Sequence, residues 1–211
     1  MIKEGSRTTC ATICVAALAF AAFAAVTHGF AAVTSDGLRR ADIAASPRAL
    51  PEIELVDSAG QRLSLREYAR SPKSVTFVAL EYVQCRSVCL TSTAGQSWLQ
   101  AEIRARGLED RARLLTLSFD PLNDTPQVLA RHAKRLGAEG KLWRFATVAD
   151  SRELPRLLEF FGIVVIPDGL GGYSHNAALF LIGEDGRLSQ TYDIDRPDIA
   201  LAEYLQRNSS R

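Results

Sequence analysis

Hydrophobic and polar positions alternate between two periods along this chain. Residues 74–83, SVTFVALEYV, form a β-rich and largely apolar run, the pattern of a central strand buried on both faces. ARLLTLSF (112–119) repeats that pattern, and LWRFATV (142–148) predicts a third strand. Helical spacing intervenes. SWLQAEIRA sets Trp98, Leu99, Glu102 and Ile103 on a helical repeat that stops at Gly107. PQVLARHAKRLG opens with Pro126 and closes with Gly137, and SRELPRLLEFFG predicts a helix with Pro155 in its first turn. Near the start, IELVDSAGQRLSL alternates around Gly60 and predicts an N-terminal β-hairpin. Near the end, AALFLIGEDGRLSQTYDI predicts a second hairpin and RPDIALAEYLQR a closing amphipathic helix. Strands that alternate with helices predict a three-layer α/β domain.

The N-terminal stretch follows neither period. A short polar start, MIKEGSR, precedes an uncharged run from Thr8 to Thr27, with small residues at Gly29, Ala31 and Ala32. This is the layout of an export signal, and residues 8–27 are long enough to anchor the chain in a membrane. The expected organisation is a signal peptide or anchor over 1–31, a linker over 32–50 and a folded domain over 51–211. Cys10 and Cys14 fall inside the apolar run and are read as small apolar fillers. The chain has 25 Lys and Arg against 24 Asp and Glu, and Lys3, Arg7 and Glu4 are the only such residues before position 32. The exported part is therefore balanced in charge. It has no basic run of the kind that binds nucleic acid.

Export leaves Cys85 and Cys89, in EYVQCRSVCLTS, as the cysteines of the folded domain. One local pair closes almost no loop, so a structural staple is the weaker reading and a reactive or metal-binding pair the stronger. The pair lies where a central strand hands over to a helix, at the sheet edge where open α/β sheets place their chemistry. Residues four apart at a helix start share a side, and a helix N-terminus favours thiolate. A closed zinc site needs a second cysteine pair, and there is none. His175 follows Gly169, Gly171 and Gly172 on a glycine-rich approach to a buried strand. Two thiolates and an imidazole suit Cu(I) and Cu(II); a turn histidine bonded to nearby backbone is the other reading. His132, inside ARHAKR, reads as a surface or boundary residue of an amphipathic helix. In SFDPLNDTPQ, Asp120 directly follows a strand at the same edge, and Asp124 and Thr125 read as helix caps.

Taken in order, YVQCRSVCL, LTLSFDPLNDTPQVLARHAKRLG and YSHNAALFLIGEDGRL resemble the Sco/SenC family over roughly residues 50–206. That resemblance implies a thioredoxin-like fold with a central mixed sheet. It implies copper held by Cys85, Cys89 and His175, with Asp120 beside the site. It also implies a copper chaperone, periplasmic or anchored in the inner membrane and facing the periplasm. The implied partner is the copper-bearing subunit of cytochrome c oxidase, or another exported copper or thiol protein. The rival expectations are a thiol–disulfide oxidoreductase working through Cys85 and Cys89, and a copper or redox sensor. The chain departs from the family pattern in having Arg86, Ser87 and Leu90 where Pro, Asp and Pro are usual. Arg86 puts a positive charge beside the pair, which favours thiolate.

Overall fold

The computed structural model describes residues 2–27, 34–69, 74–85 and 88–209. The chain divides into two compact units, Met1–Ala45 and Ser46–Arg211. The first holds helix α1 (Ile2–Val26) and helix α2 (Ser35–Ala45). Within α1, Thr9–Val26 is apolar and long enough to cross a membrane, and none of it is buried. The small residues Gly29, Ala31 and Ala32 lie outside the described residues. The stretch expected as linker thus carries a helix, and the sheet already begins at strand β1 (Arg48–Ala49), upstream of Pro51.

The second unit is a thioredoxin-like α/β fold. Its elements run β2 (Glu54–Asp57), β3 (Arg62–Ser64), α3 (Leu65–Ala69), β4 (Val75–Glu81), α4 (Val88–Ala105), β5 (Ala112–Ser118), α5 (Pro126–Arg135) and β6 (Trp143–Val148). They continue with a 3-10 turn at Ser151–Glu153, α6 (Leu154–Phe161), β7 (Val165–Pro167), β8 (Tyr173–His175), β9 (Leu179–Ile182), β10 (Arg187–Tyr192) and α7 (Pro197–Ser209). The sheet order is β1-β10-β9-β4-β5-β6-β2-β3. β4, β5 and β6 are parallel, and the strands on either side of this trio are antiparallel. The sheet is mixed, and β2–β3 is the expected N-terminal hairpin. β4 is buried at every position, because a parallel centre has helices on both faces.

The alternation along β9 shows the layers. Leu179 and Leu181 join Leu99 and Ile103 of α4, Leu129 of α5, and Leu201 and Tyr204 of α7 in one core. Phe180 points the other way, its ring 4.8 Å from that of Phe161 on α6. Gly162 then ends α6 in the left-handed region at φ 65°, where a Cβ would be strained.

Helix α4 begins earlier than its apolar spacing indicates. Its buried stripe runs Cys89, Ser92, Gln96, Leu99 and Ile103. The helical period is there, but its first half is small or polar, so hydrophobicity alone shows only the second half. A buried hydrogen-bond chain holds that polar half down. The Trp143 indole N–H donates to the Thr116 hydroxyl at 2.9 Å. That hydroxyl donates to the Gln96 side-chain carbonyl at 2.7 Å. Three elements, β6, β5 and α4, are joined by one oxygen. Thr116→Val keeps the volume and takes away the partner of the Trp143 N–H and of the Gln96 side-chain carbonyl. It is expected to cost about 2 kcal/mol, read as a lower denaturant midpoint at unchanged slope.

Candidate metal centre

Cys85 and Cys89 leave the sheet edge together. After β4 the chain turns back on itself, with the Cys85 N–H donating to the Tyr82 carbonyl at 3.2 Å. Cys89 follows in the first turn of α4. The pair is joined as a disulfide, with Cα atoms 5.8 Å apart, within the range such a bond requires. Cys85 is 9% exposed and Cys89 4%, so Cys85 is the more accessible residue. Arg86 and Ser87, between them, lie outside the described residues. Leu90, the third departure from the family pattern, is exposed.

His175 is not on a loose approach to the sheet. It ends β8, opposite Val165 of β7 in a separate two-stranded ribbon. The Asp168–Gly172 turn closes that ribbon and pairs residues that the glycines had marked only as a turn. The imidazole is oriented from both ends. Nδ1 lies 2.9 Å from the Asn176 carbonyl oxygen. A carbonyl only accepts, so Nδ1 carries the proton and Nε2 of the neutral ring has a free lone pair. Nε2 faces Cys89 Sγ at 3.4 Å and Cys85 Sγ at 4.0 Å. The three donor atoms lie within 4.8 Å of one another. The Asn176 side chain fixes the ribbon in turn. Its Oδ1 accepts from the Val164 N–H at 2.7 Å, and its Nδ2 donates to the Gly162 carbonyl at 3.1 Å.

Aromatic rings enclose the imidazole. Phe119 stands edge-on to His175 with centroids 4.8 Å apart, and Tyr82 does so at 6.3 Å. The Tyr82 hydroxyl accepts from the Tyr173 N–H at 3.1 Å, tying β8 to the end of β4. The sequence reading assigned none of Asn176, Tyr82, Phe119 and Tyr173. Their signal was adjacency: each lies one to three positions from Cys85, Asp120 or His175.

The two aspartates divide differently from expectation. Asp120 is buried, and both of its carboxylate oxygens accept from the Asn123 side-chain nitrogen, Nδ2, at 3.0 and 2.9 Å. Its charge reaches Tyr173, whose phenol is pushed up by burial first and by Asp120 next. Asp124 does not cap α5. Thr125 holds the N-cap position, without a side-chain cap bond. The Asp124 carboxylate instead accepts from the Val83 N–H at 2.9 Å and the Ser118 hydroxyl at 2.5 Å. It therefore ties the segment leading to Cys85 to the end of β5. His132 lies elsewhere. It is half-buried, its ring is 5.7 Å from that of Phe145, and its Nε2 faces the buried Glu81 at 3.9 Å.

Comparison with known proteins supports the same grouping of segments. The family model described as SCO1/SenC matches residues 42–209. The SCO1 protein homolog of Bacillus subtilis (strain 168) is 28% identical over 114 residues, covering 53% of this chain and 58% of the relative. The chain thus spans a little over half the length of that curated relative. Among solved structures, BsSco, described with a disulfide switch and as a member of the Sco family of cytochrome c oxidase assembly proteins, is similar at a TM-score of 0.65 and 20% identity. That match covers 79% of this chain and 96% of the other. Arabidopsis thaliana ScoI with copper bound is similar at a TM-score of 0.62 and 13% identity, covering 74% and 98%. At these identities the structures carry the fold.

Burial outweighs the two hydrogen bonds and raises the Asp124 carboxyl above its ordinary 3.8. A raised acid favours the folded state when protonated, and that advantage is lost as pH rises through the folded value. Relative to Asp124→Asn, which does not titrate, the wild type is expected to gain stability as pH falls from 8 to 4. Denaturant unfolding of both proteins across that range measures it. A wild type that loses ground on acidification contradicts the account.

Proposed function

We propose, on the premise that the chain belongs to the SCO1/SenC family, that Cys85, Cys89 and His175 bind copper as cargo. The copper is passed to the copper-bearing subunit of cytochrome c oxidase or to another exported copper protein. The observation that carries this reading is the lone pair of His175 Nε2 directed at two sulfurs, with all three donors inside 4.8 Å. Thiolates are soft and hold Cu(I), and an added imidazole accommodates Cu(II). The donor set therefore fits the metal in both states. The enclosing rings and the near-buried sulfurs keep competing water away from the donors. Among the described residues no second group of three Cys, His or acidic donors gathers in this way.

The disulfide sets the order of events. Two electrons and two protons from a dithiol reductant open the Cys85–Cys89 bond and yield two thiols, and copper binding then displaces their protons. Copper and disulfide exclude one another at these sulfurs. The apolar span of α1 supports delivery outside the cytoplasm, in the periplasm or from the inner membrane, where partner thiols are oxidised readily. A second reading rests on the disulfide itself. The Cys85 thiolate would attack a partner's disulfide and form a mixed disulfide. Cys89 would then displace the partner's sulfur, leaving the partner reduced and this pair oxidised. The greater exposure of Cys85 suits it to the first attack.

Anaerobic Cu(I) titration of the reduced full chain tests the first reading. One copper per chain is expected, lost in Cys85→Ala and Cys89→Ala and absent from the oxidised protein. His175→Ala is expected to keep part of the Cu(I) affinity and to lose the Cu(II) complex. Copper bound at full stoichiometry by a chain with no free Cys85 or Cys89 thiol would refute it.

A further inference from the structure

Beside the metal centre lies an open pocket of about 400 Å³, walled by Tyr82, Gln84, Asp168, Leu170 and Tyr173. It takes in neither sulfur nor the imidazole, yet its walls include close chain neighbours of Cys85 and His175. Gln84 precedes Cys85, Tyr173 stands two residues before His175, and the Tyr82 ring is 6.3 Å from the imidazole. The Asp168–Gly172 turn forms one wall. The Asp168 N–H donates to the Gly172 carbonyl at 3.0 Å. Asp168 Oδ1 accepts from the Leu170 and Gly172 N–H groups at 2.7 and 2.9 Å. One carboxylate oxygen is thus used by the turn, and the other has no hydrogen-bond partner among the described residues. A Cβ on Gly172 would lie 2.7 Å from Asp168 Oδ2 and 2.9 Å from the Tyr82 hydroxyl. The glycine is what lets these two oxygens converge.

The chemistry of the walls is one-sided. Among the described residues, Asp168 is the single charged one lining the pocket. The Tyr82 and Tyr173 rings meet edge-on at 5.1 Å and offer π surface. A free carboxylate oxygen, a phenol oxygen and aromatic surface together select a flat cation with several N–H donors. A guanidinium meets that description better than an ammonium, which is a point charge and more strongly hydrated. We propose that this pocket is a recognition subsite for an arginine side chain of the protein that exchanges copper or thiols with the adjoining centre. This rests on the function proposed above, because it needs a partner that comes to those sulfurs. An arginine seated between Asp168 and Tyr82 would hold the partner in register over Cys85. Leu170, 92% exposed on the pocket rim, would give that partner an apolar contact.

The test is an amide NMR titration of the metal-free full chain in detergent micelles. The probes are N-acetyl-Gly-Arg-Gly-amide and its citrulline counterpart, which has the same shape without the charge. The arginine peptide is expected to shift the amides of Leu170, Gly171, Gly172 and Tyr173, and the citrulline peptide to leave them in place. Asp168→Asn retains an acceptor oxygen for the turn and is expected to weaken arginine binding about threefold or more. Its Cu(I) stoichiometry should match the wild type. Equal shifts from both peptides, no shift from either, or undiminished binding by Asp168→Asn overturn the proposal. The titration contains no copper, so a failure of the metal reading would show in the Cu(I) experiment and not here.

Discussion

The bond from His175 Nδ1 to the Asn176 carbonyl decides what this site can be. It is an ordinary hydrogen bond of 2.9 Å between neighbouring residues. Its consequence is large because a carbonyl has no proton to give. The imidazole must donate there, and its other nitrogen is left as an electron pair aimed at two sulfurs. His132 is the useful contrast. Its Nδ1 lies 3.1 Å from the Arg135 guanidinium, which only donates, so a neutral His132 carries its proton on Nε2 and turns a donor toward Glu81. The two histidines are set in opposite tautomers by their partners. Of the two, His175 is the one that turns a lone pair toward the sulfurs.

The rest of the site serves to keep that electron pair and the sulfurs in place. Asn176 fastens the β7–β8 ribbon to the end of α6, and Tyr82 fastens it to the end of β4. Asp124 fastens the segment before Cys85 to β5, and the Thr116 hydroxyl fastens α4 beneath Cys89. The ties from Tyr82, Asp124 and Thr116 join elements 20 or more residues apart in the chain. The donors come from three separate places, the turn after β4, the first turn of α4 and a two-stranded ribbon. A site assembled this way depends on tertiary ties, because no local sequence holds it.

How much of this the sequence carried differs by element. The strand–helix alternation from Val75 to Val148 was legible, because β4 and β5 are continuous apolar runs and α5 is marked by Pro126 and Gly137. The cysteine pair and its sheet-edge position were legible for the same reason. The first half of α4 was not, since Ser92 and Gln96 occupy the buried stripe without being apolar. The β7–β8 ribbon was hidden by its brevity and by glycines that also describe a plain loop. Asp124 was misread as a cap because Asp before Thr-Pro has that local meaning, while its actual partners, Val83 and Ser118, are set by the packing of β4 against β5. The tautomer of His175 was beyond any sequence pattern, since it turns on one backbone oxygen.

The central claim is the composition of the proposed copper site, two sulfurs and the one imidazole that the Asn176 carbonyl has oriented. X-ray absorption of the copper-loaded protein in its Cu(II) state reads that composition directly. The account predicts two sulfur neighbours and one imidazole nitrogen, with that Cu(II) shell lost in His175→Ala and unaffected in His132→Ala. A shell that keeps its imidazole after His175→Ala, or one that contains no imidazole in the wild type, would contradict it.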